Sequence, residues 1–171
     1  MTLQRTMLVF AAGALGGLAN SLVVWLAGIS GITTAAGADI APTLTPAWLY
    51  SRLVWGGIWG ILFLSPWPLA ATWQRGLLFS LAPSLVQLLV VFPAKTEAGL
   101  LGLGLGGATP FFVLAFNAVW GLVAAWSLDR AAGDTRRGQA AAEADRPQDD
   151  GGRPPVAYIT VPEDELRAMP S

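Results

Sequence analysis

Arg52, Asn20, Gln87 and Asn117 stand inside stretches that are otherwise apolar, and Ser21 sits beside Asn20. A guanidinium offers N–H donors in a fixed fork, a carboxamide offers donors and an acceptor, and a hydroxyl offers both. None of these groups exchanges a proton readily near neutral pH. Their natural chemistry is recognition of an anionic or polar group. The chain has no histidine and no cysteine. That removes the commonest metal ligand, the usual general base and any thiol or disulfide chemistry. No enzymatic activity, no cofactor and no bound metal is expected.

The depth of these residues follows from helix geometry. At 1.5 Å per residue, Asn20 and Gln87 lie roughly 18–20 Å from one side of the membrane. Counted from the other side, Asn117 lies about 12 Å in and Arg52 about 8–9 Å in. In a hydrocarbon core about 30 Å thick they form one polar layer, with Arg52 slightly above the rest. A charge at a helix centre costs about 2.5–3.5 kcal/mol on insertion scales, so Arg52 needs a partner or water. No Asp or Glu lies within the expected spans. The available partners are amide oxygens, hydroxyls, backbone carbonyls, lipid phosphate or an anionic ligand. In the competing reading, Arg52 snorkels to the interface and the amides only tie helices together.

Four elements must position this layer. Only 12 % of the 171 residues are charged, half of what a soluble domain usually carries. Residues 1–128 hold just Arg5, Asp39, Arg52, Arg75, Lys95 and Glu97. The uncharged runs between them match the roughly 20 residues a spanning helix needs. The expected fold is all-α: a polytopic membrane protein with a bundle of four transmembrane helices. These cover about 7–28, 46–65, 74–92 and 109–128. Thr45-Pro46 and Thr109-Pro110 read as helix starts, with an N-cap and proline at the first position. Ser65-Pro66-Trp67-Pro68 stops the second helix, and Pro83 is expected to kink the third. Ala36-Gly37-Ala38 resembles a signal-cleavage site, but the preceding apolar run is too long for an h-region, so a retained first helix is expected.

Lys and Arg near the helix ends place both termini in the cytoplasm. Arg5, Arg75, Arg130, Arg136 and Arg137 then lie inside, and Arg52 and Lys95 outside. Trp48, Trp67, Trp73 and Trp126 fall near the interfaces, as an aromatic belt does. Arginine outnumbers lysine, and alanine and glycine are abundant, which suggests a bacterial inner membrane. Residues 131–171 are rich in Ala, Asp, Arg, Pro and Gly and are expected to form a disordered cytoplasmic tail. Within it, 156–165 carries a β-like patch followed by acids, a potential docking segment for a partner.

Two tandem helical hairpins are expected. Leu18-Ala-Asn-Ser-Leu-Val-Val24 of the first helix resembles Leu81-Ala-Pro-Ser-Leu-Val-Gln87 of the third, at an offset of 63. Val54-Trp55-Gly56 recurs as Val119-Trp120-Gly121, at an offset of 65. Each copy has two spans, so the repeat is parallel. Gly13 with Gly17, and Gly56 with Gly60, form G-x-x-x-G faces that allow close helix approach, within the bundle or against a partner. Gly102, Gly104 and Gly107 match a dinucleotide-binding pattern in spacing only. They lie between expected membrane helices and no strand precedes them, so neither nucleotide nor nucleic-acid binding is expected.

Two functional readings compete. The first is a structural or accessory subunit packing against other membrane subunits or itself. The second is a small oligomeric transporter, channel or lipid- or anion-binding protein built on the layer around Arg52. Membrane lipid is a partner in both.

Overall fold

The computed structural model describes residues 2–65, 71–95 and 98–145. Six α-helices are present among them, and four segments are long and apolar enough to cross a membrane: Leu3–Ile29, Pro46–Leu64, Thr72–Ala94 and Thr109–Ala144. The chain is a multi-pass helical membrane protein on that composition. Helix α1 is Leu3–Ile29 and α2 is the short turn Ile32–Ala35. Helix α3 is Pro46–Trp59, tightened into a 3₁₀ turn over Gly60–Leu64. Helix α4 is Thr72–Val86, followed by a π-helical turn over Gln87–Val91 and by α5, Phe92–Lys95. A 3₁₀ segment, Leu100–Leu105, leads into α6, Thr109–Ala144.

Local chemistry explains these boundaries. Thr45 caps α3 by accepting a hydrogen bond from the Trp48 N–H at 3.2 Å, and Pro46 supplies the first helical residue. Thr109 does not repeat this role. It lies within α6, is fully buried, and its hydroxyl has no partner among the described residues. Helix α4 continues through Pro83 and widens into the π turn four residues later. The missing proline N–H removes one bond of the ladder, yet the helix is not broken there.

One boundary is corrected. The fourth helix was expected to end at 128 and the disordered tail to begin at 131, yet α6 runs on to Ala144. Residues 131–144 contain several alanines, with Arg, Gln and Glu, and no proline until Pro147. Ala, Arg, Gln and Glu are strong helix formers, and Gly133 and Gly138 weaken the run without a proline to end it. Low hydropathy removed the expectation of burial but not the capacity for backbone hydrogen bonds. Among the described residues, those through Arg136 form one compact unit and those from Arg137 belong to another. The acidic docking patch at 156–165 and Trp67 lie outside the described residues.

Two close seams organise the first unit. On α1 and α3, a Cβ on Gly13 would sit 2.4 Å from the Gly56 carbonyl oxygen, and one on Gly60 2.3 Å from the Val9 oxygen. A Cβ on Gly17 would sit 2.7 Å from the Arg52 oxygen. The glycine faces of α1 and α3 therefore meet each other inside the chain. On α4 and α6, a Cβ on Gly121 would sit 2.1 Å from the Gly76 oxygen. Helix α1 also meets α6: the Trp120 indole donates to the Gly13 carbonyl at 3.0 Å. Dispersion between such closely approaching backbones is what helix association in lipid relies on.

Three apolar clusters flank the middle of the bundle. Val9, Phe63, Phe79, Trp120 and Ala124 pack toward the end that carries the N-terminus, with Phe63 and Phe79 edge to face at 5.0 Å. Toward the other end lie Val24, Ala27 and Phe116, and separately Leu88, Phe92, Ala98 and Val113. Between the two levels the side chains are polar.

Candidate functional site

At the middle of the bundle, Asn20 bridges three helices. Arg52 on α3 can only donate, so the Asn20 amide turns its oxygen toward it. Arg52 Nη2 donates to Asn20 Oδ1 at 2.8 Å. Asn20 Nδ2 is then left facing α6, where it donates to the Phe116 carbonyl at 2.8 Å and to Asn117 Oδ1 at 3.2 Å. The neighbouring Ser21 accepts from Arg52 Nε at 3.1 Å and donates back to the Gly17 carbonyl at 2.6 Å. The Arg52 guanidinium carbon also lies 4.7 Å from the centre of the Trp48 ring, in cation–π range.

The close α1–α3 seam makes this geometry possible. With Gly17 and Gly56 bearing no side chains, the α3 backbone at Arg52 approaches α1 directly. The guanidinium reaches the Asn20–Ser21 pair across the groove. Arg52 is only partly buried, so part of its donor fork remains free for another acceptor.

Asn117 holds the buried donor that the network leaves unpaired among the described residues. It is 9 % exposed, its oxygen is used by Asn20, and its Nδ2 is buried with no partner among the described residues. A buried donor left unpaired costs about 1–3 kcal/mol.

Two cavities open onto this cluster. One, of about 390 Å³, is bounded by Asn20, Arg52, Gln87 and Asn117 and by Asp39 and Ile40 from the α2–α3 connection. The other, of about 440 Å³, shares the same four polar residues. Its rim is Trp55 and Trp59 of α3 and Val86 and Val90 of the α4 segment. Trp55 is 58 % and Val90 55 % exposed, so this second cavity opens sideways between α3 and α4. Both volumes fall within the roughly 300–1,000 Å³ of small-molecule sites.

Two connections border the first cavity at the end away from the termini. The α2–α3 connection and the segment before α6 are clamped by backbone contacts: the Asp39 N–H donates to the Leu105 carbonyl at 2.6 Å, and the Ala108 N–H to the Gly37 carbonyl at 3.4 Å. Gly106 adopts φ +123°, and a Cβ there would lie 2.0 Å from the Gly37 oxygen. Only glycine tolerates both demands. Thr33 fastens the α2–α3 connection by donating to the Ile40 carbonyl at 2.8 Å.

Of the polar residues singled out from the sequence, Asn20, Ser21, Arg52 and Asn117 are joined by hydrogen bonds, directly or through one another. Gln87 joins them as a wall of both cavities. Gly13, Gly17, Gly56 and Gly60 supply the adjoining seam. Asp39 and Trp48 were missed as site residues. Asp39 is the one acid before Glu97 in the chain, but its place in a connection gave no sign that the connection folds back over the layer. At the opposite end, Asp129 accepts from Thr72 and Arg75, joining α6 to the start of α4. Among the described residues no group of three or more His, Cys, Asp or Glu is arranged to hold a metal. Compared with known proteins, the chain matches no family model, no curated protein and no solved structure.

Proposed function

We propose that this chain is a small membrane protein that binds an anionic or polar group at the Arg52 layer, as the binding unit of an oligomeric carrier or channel. The observation that carries this reading is Asn117: a buried amide donor without a partner, beside a half-used guanidinium, on the wall of two cavities. A purely structural interhelical network would be expected to satisfy its own donors. An acceptor-rich anion would complete both groups at once.

In this reading both termini are cytoplasmic, as the five-against-two distribution of basic residues favours, and the Asp39 connection faces outward across a bacterial inner membrane. The two-hairpin repeat is part of the same proposal. Gly13 and Gly76, and Gly56 and Gly121, are related by the repeat offsets, and the pairs Gly13–Gly56 and Gly76–Gly121 each make a close seam. Ser21 and Ser84 likewise each donate to the carbonyl four residues back. Four helices alone rarely enclose a pathway, so transport would require association of copies.

The accessory-subunit reading loses one of its supports. The glycine faces could have served the bundle or a partner, and in this chain those of α1 and α3 pack against each other. The test is isothermal titration of the purified chain with inorganic phosphate and sulfate, against Arg52→Ala. Saturable binding that the substitution abolishes supports an anion site. Identical heats for both proteins would leave Arg52 as a packing residue and return attention to subunit assembly.

A further inference from the structure

We infer that the ligand is an anionic amphiphile, with its headgroup at the Arg52 layer and an apolar chain in the sideways cleft between α3 and α4. This rests on the anion-binding reading above and names the class of ligand. The two cavities differ in character while sharing one wall. The first cavity has Arg52 and Asp39 on its walls and is bordered by the hydrogen-bonded connections at Asp39 and Leu105. The sideways cavity has a buried floor at Gly17 and Trp120 and an exposed apolar rim at Trp55, Val86 and Val90. A free inorganic anion would occupy the shared polar wall and leave the apolar rim at Trp55, Val86 and Val90 unfilled. A molecule with a phosphate-like head and a hydrocarbon chain would use both, passing between them at Asn20, Arg52, Gln87 and Asn117.

The position of the cleft supports the same occupant. Its open side lies on the flank of α3 and α4, within segments apolar enough to face lipid chains. A ligand entering there would come from the bilayer without its tail crossing water. The Gln87–Val91 π turn lies along this cleft, with Gln87, Val90 and Val91 on its wall. Such turns often mark functional sites because they displace side chains from the regular helical rows. No described residue other than Arg52 brings a positive charge to either cavity, so one headgroup charge is engaged by one guanidinium.

The test compares three probes on the full chain in detergent: short-chain phosphatidic acid, the neutral diacylglycerol of the same chain length, and inorganic phosphate. Phosphatidic acid is expected to bind at least about tenfold more tightly than either of the others. Arg52→Ala should remove that preference over the neutral lipid. Val90→Trp, which fills the cleft, should weaken phosphatidic acid at least about tenfold more than it weakens phosphate. Leu85→Trp, on the same helix but outside the cleft, serves as the folding control, with far-UV circular dichroism of each variant. Equal affinity for phosphate and phosphatidic acid, unaffected by Val90→Trp, would overturn the amphiphile and leave a free-anion site. Absence of any Arg52-dependent binding would overturn the anion site itself.

Discussion

Arg52 on α3 and Asn20 on α1 are joined by a 2.8 Å hydrogen bond from Nη2 to Oδ1, and that bond sets the direction of the whole cluster. Because its oxygen is taken by a cation, the Asn20 amide must donate toward α6, to Phe116 and Asn117. Arg52→Met keeps much of the side-chain volume and removes the charge. Two interhelical bonds averaging about 0.6 kcal/mol each are lost, and the burial cost of a charge is relieved. Stability in a denaturing-detergent titration should therefore move by no more than about 1 kcal/mol. Phosphate affinity should fall at least about tenfold, because a charge-assisted bond contributes about 1.5–3 kcal/mol. A large loss of stability with unchanged binding would contradict the site.

Asn117→Leu separates the network from the ligand in a different way. The substitution deletes a donor that has no partner and an acceptor whose donor, Asn20 Nδ2, retains the Phe116 carbonyl. Its effect on stability should be small, within about 1 kcal/mol. Its effect on anion affinity should be a several-fold loss, read by the same titration. If the variant binds as tightly as the parent, the unpaired amide is not a ligand group.

Asp39 shares the first cavity with Arg52, and among the described residues no carboxylate pairs with that guanidinium. A negative charge on the wall opposes an incoming anion by Coulomb repulsion. Asp39→Asn should accordingly raise phosphate affinity a few-fold. The gain should shrink as salt rises, since the connection carrying Asp39 is exposed and screened. Titrations at low and high ionic strength would measure both, and weaker binding in the variant would reverse the sign of the argument.

The α1–α3 seam has no room for a methyl group. Gly13→Ala places a Cβ against the Gly56 oxygen at 2.4 Å, and overpacking of this kind typically costs about 1–3 kcal/mol. Gly107→Ala meets nothing within 4 Å and should be close to neutral. Because the seam lies within one chain, Gly13→Ala should lower thermal stability without changing the oligomeric state measured by native mass spectrometry. A shift from dimer to monomer at unchanged stability would place the glycine face between copies instead.

Gly106→Ala tests the paired connections. It combines a φ that only glycine adopts readily with a contact of 2.0 Å to the Gly37 oxygen. Strain of about 1–3 kcal/mol should be relieved by parting the two connections. Hydrogen exchange at Asp39, whose N–H donates to Leu105, should speed up while exchange along α1 stays slow. Uniform acceleration would mean that the clamp supports the whole bundle rather than the cavity alone.

The membrane-spanning elements were legible from the chain because their determinant is local. Long uncharged runs, Thr45-Pro46 as a start and the absence of His and Cys are properties of residues and their neighbours. They bounded four spans and ranked Asn20, Arg52, Gln87 and Asn117 by depth through helical rise alone. Local reading failed where two signals competed. Residues 131–144 are too polar to be buried yet strongly helix-forming, and α6 follows propensity to Ala144.

Tertiary structure decided everything that depends on azimuth and on chain reversal. Depth along a helix follows from counting residues, but the face a residue presents depends on which backbones approach, and that was settled by glycine-to-glycine contact between α1 and α3 and between α4 and α6. The same packing turned a polar layer into a bonded cluster with a buried donor left unpaired at Asn117 among the described residues. It also brought Asp39 over Arg52's cavity through backbone hydrogen bonds between two connections. Such bonds carry no side-chain signature, so no residue type in the sequence announces them.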